Sequence, residues 1–274
     1  MERVKRNERL SVITHVLTDS PNRIFTLSHF CGMFGAAKST ISEDIDLIRK
    51  LFASYSLGEI ETVAGVSGGV RYLPYPVGDS YEFISALCKK LSEPSRVLPG
   101  GYLYINDILS NPATVDKLGR MLASQFAKYD PDFVLTVEMK GVPLAMSTAK
   151  ALGISSVVCR RNTDRFLDWP SVSINYVTGS SSRPQTMSLT KKLVKEGQKA
   201  LIIDAFIKGG GTARGMMEMM REFSITVVGI GMLITREIDT KKRVDGVKSL
   251  MTLKSLDEDS GSTIEPAAWI QRTK

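Results

Sequence analysis

A chain of 274 residues, 43% hydrophobic and 24% charged, carries enough apolar side chain for one large or two modest cores, which excludes a largely disordered chain. The formal charge of +7, from 36 Lys and Arg against 29 Asp and Glu, favours polyanionic partners. Three cysteines (Cys31, Cys88, Cys159) and two histidines exclude a disulfide framework and speak against a metal site, and the apolar neighbours of the cysteines predict buried, reduced thiols. MERVKRNERL lacks a signal-peptide core, and the longest apolar run, ITVVGIGMLI at 225–234, is about half a membrane helix. A cytoplasmic chain with no membrane contact is expected.

Residues 7–18 place Leu10, Ile13, Val16 and Leu17 on one helical face, ending at SPN. TLSHFCGMF forms a second, short helix with Leu27, Phe30 and Phe34 on one side. After a turn at Gly35, a long third helix starts near Ala37, with Ile41, Ile45, Ile48 and Phe52 at helical spacing. Residues 57–73 switch to alternation, EIETV and VRYL around VSGG, and so predict a hairpin. Three helices and a hairpin describe a winged helix-turn-helix over residues 1–74. LPYPVGD at 73–79 reads as the boundary of a second domain, 75–274.

In that second domain SYEFISALCKKL is a helix, and VLPGG at 97–101 breaks the chain. Strands follow at 132–137, 155–159, 200–204 and in ITVVGIGML, with helices at about 142–151 and 212–223 between them. The stretch 161–190 reads as irregular and polar, and LDEDSGST as a polar turn. Continuous apolar strands separated by helices imply a parallel sheet covered on both faces, an α/β domain. In GMMEMMREF, Met216, Met220 and Phe223 share a core face, and Gly229-Ile230-Gly231 is no dinucleotide fingerprint.

Two constellations carry chemistry. LIIDAFIKGGGT at 201–212 runs from strand through Asp204 into Lys208, Gly209, Gly210, Gly211 and Thr212 at the start of a helix. That is the carboxyl edge of a parallel sheet, where successive N–H groups and the helix dipole receive a phosphate. TVEMKGVPLA brings Lys140 and Gly141 to the same edge, and Arg160 and Arg161 end the next strand there. In the first domain Lys38, Ser39, Thr40 and Ser42 open the third helix, small polar groups suited to a major groove. Glu43 and Asp44 must then face away from phosphates. Arg3, Lys5, Arg6 and Arg9 form a short basic arm.

The run LIIDAFIKGGGT resembles the phosphoribosyl pyrophosphate loop of the type I phosphoribosyltransferase fold. Its combination with a winged helix resembles the purine operon repressors of Gram-positive bacteria, through AAKSTISEDI, AGVSGGVRYLP, LPGGYLYINDIL, MKGVPLA, SINYVTGSSSRPQTMSL and IDAFIKGGGT. The resemblance implies a homodimeric, non-enzymatic regulator of purine synthesis genes that binds operator DNA and senses phosphoribosyl pyrophosphate and, in relatives, guanosine tetraphosphate. It adds Tyr102, Met139 and Phe206 to the effector site, Arg71 of the wing to the DNA site, and a hood at 168–192 that closes over the ligand. One position departs from the pattern. Ala205 stands where the resemblance implies a second acid for the ribose hydroxyls, so weakened effector binding is expected, in a small wet space at the sheet edge. The rival reading is a purine phosphoribosyltransferase with an appended domain; an RNA-binding regulator lacks the aromatic stacking surface.

Overall fold

The computed structural model describes residues 4–65, 68–75, 78–161, 170–177, 184–207, 210–236, 246–258 and 260–271. Contacts divide the chain into two compact units, Met1–Gly78 with Lys150–Gly153, and Asp79–Ala149 with Ile154–Lys274.

The first unit is built from α1 (Arg6–Asp19), α2 (Leu27–Phe34), α3 (Lys38–Ser54), β1 (Glu59–Val63) and β2 (Gly69–Leu73). Its core is the expected stripe set: Ile13, Leu17, Phe30, Ile41, Ile45, Ile48 and Phe52 are buried, with Leu10, Val16, Leu27 and Phe34 packed against them. Thr26 caps α2, its hydroxyl accepting from the His29 N–H at 3.2 Å, and Gly35 ends the helix with φ 60°. β1 and β2 pair antiparallel, Glu61 opposite Arg71. Phe25 adds a short third strand, exchanging two backbone hydrogen bonds with Val70 at 2.8 and 2.9 Å.

The second unit contains α4 (Ser80–Leu91), β3 (Val97–Leu98), β4 (Tyr102–Leu103), α5 (Asn106–Leu109), α6 (Pro112–Phe126), β5 (Phe133–Val137), α7 (Val142–Leu152), β6 (Ser155–Arg161), β7 (Ser171–Val177), β8 (Pro184–Thr190), β9 (Lys199–Ile207), α8 (Gly211–Glu222), β10 (Thr226–Arg236), β11 (Val247–Asp257) and β12 (Gly261–Pro266). Eight strands form one sheet in the order β12-β11-β10-β9-β5-β6-β8-β7. The five from β11 to β6 are parallel, and β12, β8 and β7 extend the edges antiparallel. β9 lies next to the middle of the sheet, so its carboxyl end opens where strand order reverses, between β9 and β5.

One face of this sheet, with Phe133, Leu135, Val137, Ile202 and Met232, packs on Ala213, Met216, Met219 and Met220 of α8. Gly229 and Gly231 serve the other face: a β-carbon at either would meet the Phe126 ring of α6, at 2.6 Å and 2.9 Å. They admit an aromatic ring, which accounts for two glycines in an apolar strand without a dinucleotide. The polar stretch read as irregular is in part the β7–β8 hairpin, paired to β6 through Arg160–Ser188 and Arg161–Met187. It lies on α8 so closely that a β-carbon on Gly215 would come within 2.9 Å of Met187 and 3.0 Å of the Tyr176 ring. Cys88 and Cys159 are buried thiols, each pushed up to about 12 by burial, whereas Cys31 is only half-buried.

Candidate functional site

The effector candidates gather at the carboxyl ends of β5, β6 and β9. Asp204 shares its face with Ile202 and, across the register, Met232, so it points to the α8 side. Its Oδ1 accepts the Ala205 N–H at 2.7 Å. Burial pushes its carboxyl up to about 6, opposed by that hydrogen bond and by the charge of Arg161. The loop from Glu138 to Gly141, whose Glu138–Met139 peptide is cis, folds over this carboxylate. A β-carbon at Gly141 would stand 2.5 Å from Asp204 Oδ1 and would also strike the Thr136 hydroxyl. Only glycine allows the loop to come that close. Thr136 Oγ1, fully buried here, has no hydrogen-bond partner among the described residues.

Seven residues after Asp204, α8 begins at Gly211 after Gly210, which takes φ 76°. Among the described residues no side chain caps this terminus, so its first amides point outward with the positive end of the dipole. Thr212, second in the helix, is half-buried. Lys208 and Gly209 lie outside the described residues, as do 168–169 and 178–183 of the expected hood.

Met139 and Lys140 are exposed beside Gly141, and Phe206 is half-buried. Arg160 is exposed and faces Glu138 at 3.6 Å, so part of its charge is already answered. Arg161 is the residue whose charge reaches Asp204 and also Tyr176. The sequence held the clue: Val157, Cys159 and Arg161 alternate onto one face of β6. Tyr102 is 56% exposed on β4. Ala205 corrects an expectation. It is 1% exposed and, one residue along the strand, points to the face opposite Asp204, so its surroundings are dry.

In the first unit a cleft of about 650 Å³ opens between the N-terminus of α2, α3 and the wing. Lys38, Ser42, Asp46 and Arg49 line it from α3, Thr26 and Ser28 from α2, Thr62 and Gly65 from the wing. Ser39 is exposed and Thr40 half-buried, neither among the lining residues. Arg49, missed in the sequence although it continues the spacing Lys38, Ser42, Asp46, ties α3 to β1. It donates to Ile60 O at 3.0 Å and Thr62 Oγ1 at 2.7 Å, and pairs with Asp46. Arg71 is held by Glu61 at 2.5 Å.

Asp44 is 1% exposed and accepts from Arg6 at 3.1 Å and Arg9 at 2.8 Å. It leaves α3 about 200° around from Ser42, so these arm cations meet the helix away from the cleft. Lys5 stays exposed. Glu43 is exposed, while Asp44 is turned inward.

Among the described residues no group of three or more His, Cys, Asp or Glu converges, and no helix is long and apolar enough to cross a membrane.

A winged-helix unit joined in one chain to a phosphoribosyltransferase-type parallel sheet defines a DNA-binding transcription regulator built on a ligand-binding fold. The N-terminal domain of the bacterial purine repressors matches residues 5–74, and the phosphoribosyl transferase domain matches residues 105–266. The purine biosynthesis transcriptional repressor of Bacillus subtilis is 41% identical over 254 residues, covering 92% of this chain and 89% of the relative. The purine biosynthesis transcriptional activator of Lactococcus lactis is 35% identical, covering 93% and 94%. This chain belongs to the purine biosynthesis transcriptional regulators of Gram-positive bacteria. Adenine phosphoribosyltransferase from Thermoanaerobacter pseudethanolicus shares the fold, with TM-score 0.50 and 23% identity over 55% of this chain and 87% of that one. The relatives that span both units are named as regulators, so the chain is a transcription regulator and not a phosphoribosyltransferase.

Proposed function

We propose that residues 1–74 bind operator DNA of purine synthesis genes, and that residues 75–274 form a homodimer and sense phosphoribosyl pyrophosphate or guanosine tetraphosphate in the cytoplasm. The observation that carries this reading is the approach of Gly141 to the Asp204 carboxylate, beside the uncapped start of α8. Diphosphate-side and ribose-side groups thus meet at one edge.

In this reading the amides from Gly209 to Thr212 and Lys208 cradle the 5′-phosphate, Lys140, Gly141, Arg160 and Arg161 meet the diphosphate, and Asp204 accepts a ribose hydroxyl. Tyr102, Met139 and Phe206 border the mouth. Ala205 offers no second acceptor; because its side chain lies on the face opposite Asp204, a carboxylate there must turn across the strand end to reach the ribose, and its absence then lowers affinity by one to two powers of ten, from roughly 1.5–3 kcal/mol for a lost charged hydrogen bond. On the DNA side Lys38, Ser39, Thr40 and Ser42 enter the groove, Arg71 follows with the wing, and Lys5 and Arg6 add phosphate contacts. Two copies are needed because one winged helix buries too little surface for tight specific binding.

The test is a gel shift on purine-gene promoter DNA with and without each effector, run beside Thr212→Val. Effector-dependent mobility that the variant needs about tenfold more ligand to reproduce is expected. Equal response of both proteins removes α8 from the effector site.

A further inference from the structure

We propose that Arg49 is a positioning residue for operator recognition, a strut that fixes the wing against α3. The inference rests on the DNA reading above and deepens it.

The Arg49 guanidinium is a planar fork of five donors, and all three of its nitrogens are engaged at once. Nε donates to Ile60 O at 3.0 Å, Nη2 donates to Thr62 Oγ1 at 2.7 Å, and Nη1 pairs with Asp46, one turn back on the same helix. A fork braced on its own helix and fastened to a strand at two points leaves little freedom to either element. Lysine, a point charge on a flexible stem, cannot reproduce that geometry.

The hairpin shows why such a tie matters. The outward backbone groups of β2 are taken by the chain itself: Val70 exchanges two hydrogen bonds with Phe25, and Tyr72 O accepts the Asn22 N–H at 2.8 Å. Among the described residues no strand lies beyond β1, and Ile60, opposite Tyr72 in the ladder, turns its carbonyl outward to Arg49. Glu61, between the two tied residues, points to the other face of the hairpin and holds Arg71 there at 2.5 Å. A tie at Ile60 and Thr62 therefore also sets where Arg71 stands. Beyond it the wing runs into Gly65, at φ 118°, a pliant backbone that cannot set its own direction. Arg49 and Thr62 also line, from α3 and from the wing, the cleft that Lys38 and Ser42 line. One guanidinium thus fixes the spacing between the helix proposed to read the groove and the wing proposed to follow it. Fixing that spacing before DNA arrives saves the ordering entropy that binding otherwise costs.

The test is anisotropy titration of the full chain, Arg49→Lys, Thr62→Val, Arg71→Ala and the Arg49→Lys/Arg71→Ala pair with a purine-gene promoter fragment and with a scrambled fragment of equal length. Arg49→Lys, which keeps the charge and loses the fork, weakens promoter binding about tenfold and leaves the scrambled fragment bound as by the parent. Thr62→Val, which keeps shape and charge and removes one anchor, loses roughly threefold on the promoter alone. In the Arg71→Ala background Arg49→Lys costs nothing further, because a positioning residue acts through the group it positions. If the unsubstituted chain binds both fragments alike, the DNA reading falls and this inference with it. If it prefers the promoter and Arg49→Lys matches it, loses the same factor on both fragments, or loses the same factor with and without Arg71, the strut alone is overturned.

Discussion

Asp204 has one hydrogen bond from Ala205 and a distant charge in Arg161 to offset its burial, and these do not balance it. Its carboxyl therefore titrates near 6 in the folded chain against 3.8 in an unfolded one. Above about 6 the folded chain carries the full cost of an ionised, poorly hydrated group; below the unfolded value the group is neutral in both states and the cost is gone. This residue thus lowers stability as pH rises between those values. Asp204→Asn is expected to be more stable than the parent by roughly 1–3 kcal/mol at pH 7 and by much less at pH 4, while losing effector affinity. Thermal unfolding across that range checks the sign, and an equal gap at both pH values rejects the assignment. Ala205 carries a different expectation. A carboxylate placed there is buried on the opposite face of β9, at a cost of roughly 1–3 kcal/mol unless it turns to meet ligand or water. Ala205→Asp should unfold several degrees earlier without effector and recover more than the parent when effector is added, because a ligand that binds only the folded form stabilises it.

At the scale of elements, α3 divides its circumference between three tasks. Ile41, Ile45, Ile48 and Phe52 face the core, Asp44 holds α1 through Arg6 and Arg9, and Lys38, Ser42, Asp46 and Arg49 line the cleft. Lys38→Ala should lower operator affinity and reduce the slope of log affinity against log salt by about one, since one phosphate contact is lost. Lys5→Ala tests the arm in the same assay, and an unchanged slope in either variant removes that lysine from the phosphate contacts. The core stripes of α1 to α3 were legible because helical periodicity reports burial directly. Asp44 was legible only as a residue that must turn away; its two arginine partners come from another helix, which spacing along one segment cannot reveal. α6 carries clear signals, Asn111 as cap, Pro112 at its first position and Val115, Leu118, Leu122 and Phe126 in a stripe, yet the breaker at 97–101 drew the reading straight on to β5. The β7–β8 hairpin hides because Val172, Ile174 and Tyr176 alternate with serines and Asn175, one face on α8 and one outward. The candidate site was legible as far as motif and strand end coincide, where Asp204 and Gly141 come together at the carboxyl edge and α8 starts before Thr212. Which face each side chain takes, decisive for Arg161 and Ala205, depends on pairing with neighbouring strands.

Over the whole molecule, the proposed DNA and effector sites belong to different compact units of one chain, so any influence between them is a coupling free energy and must be reciprocal. Effector changes operator affinity only by the ratio of its affinities for the free and DNA-bound regulator, whatever the absolute strength of either. Residues that only grip the ligand alter both affinities equally. Thr212→Val therefore moves the effector concentration at half-response upward by its loss of affinity, about tenfold, while the limiting change in operator affinity at saturation stays that of the parent. Ala205→Asp moves the midpoint in the opposite direction with the same limit. The measurement is a family of operator-binding isotherms at increasing phosphoribosyl pyrophosphate, paired with calorimetry of the effector in the presence and absence of saturating operator. The factor by which operator shifts effector affinity must equal the factor by which effector shifts operator affinity, in parent and variants alike. A variant that changes the saturating limit would place its residue in the element that distinguishes the two states, and would overturn the view of Thr212 and position 205 as groups that only hold ligand.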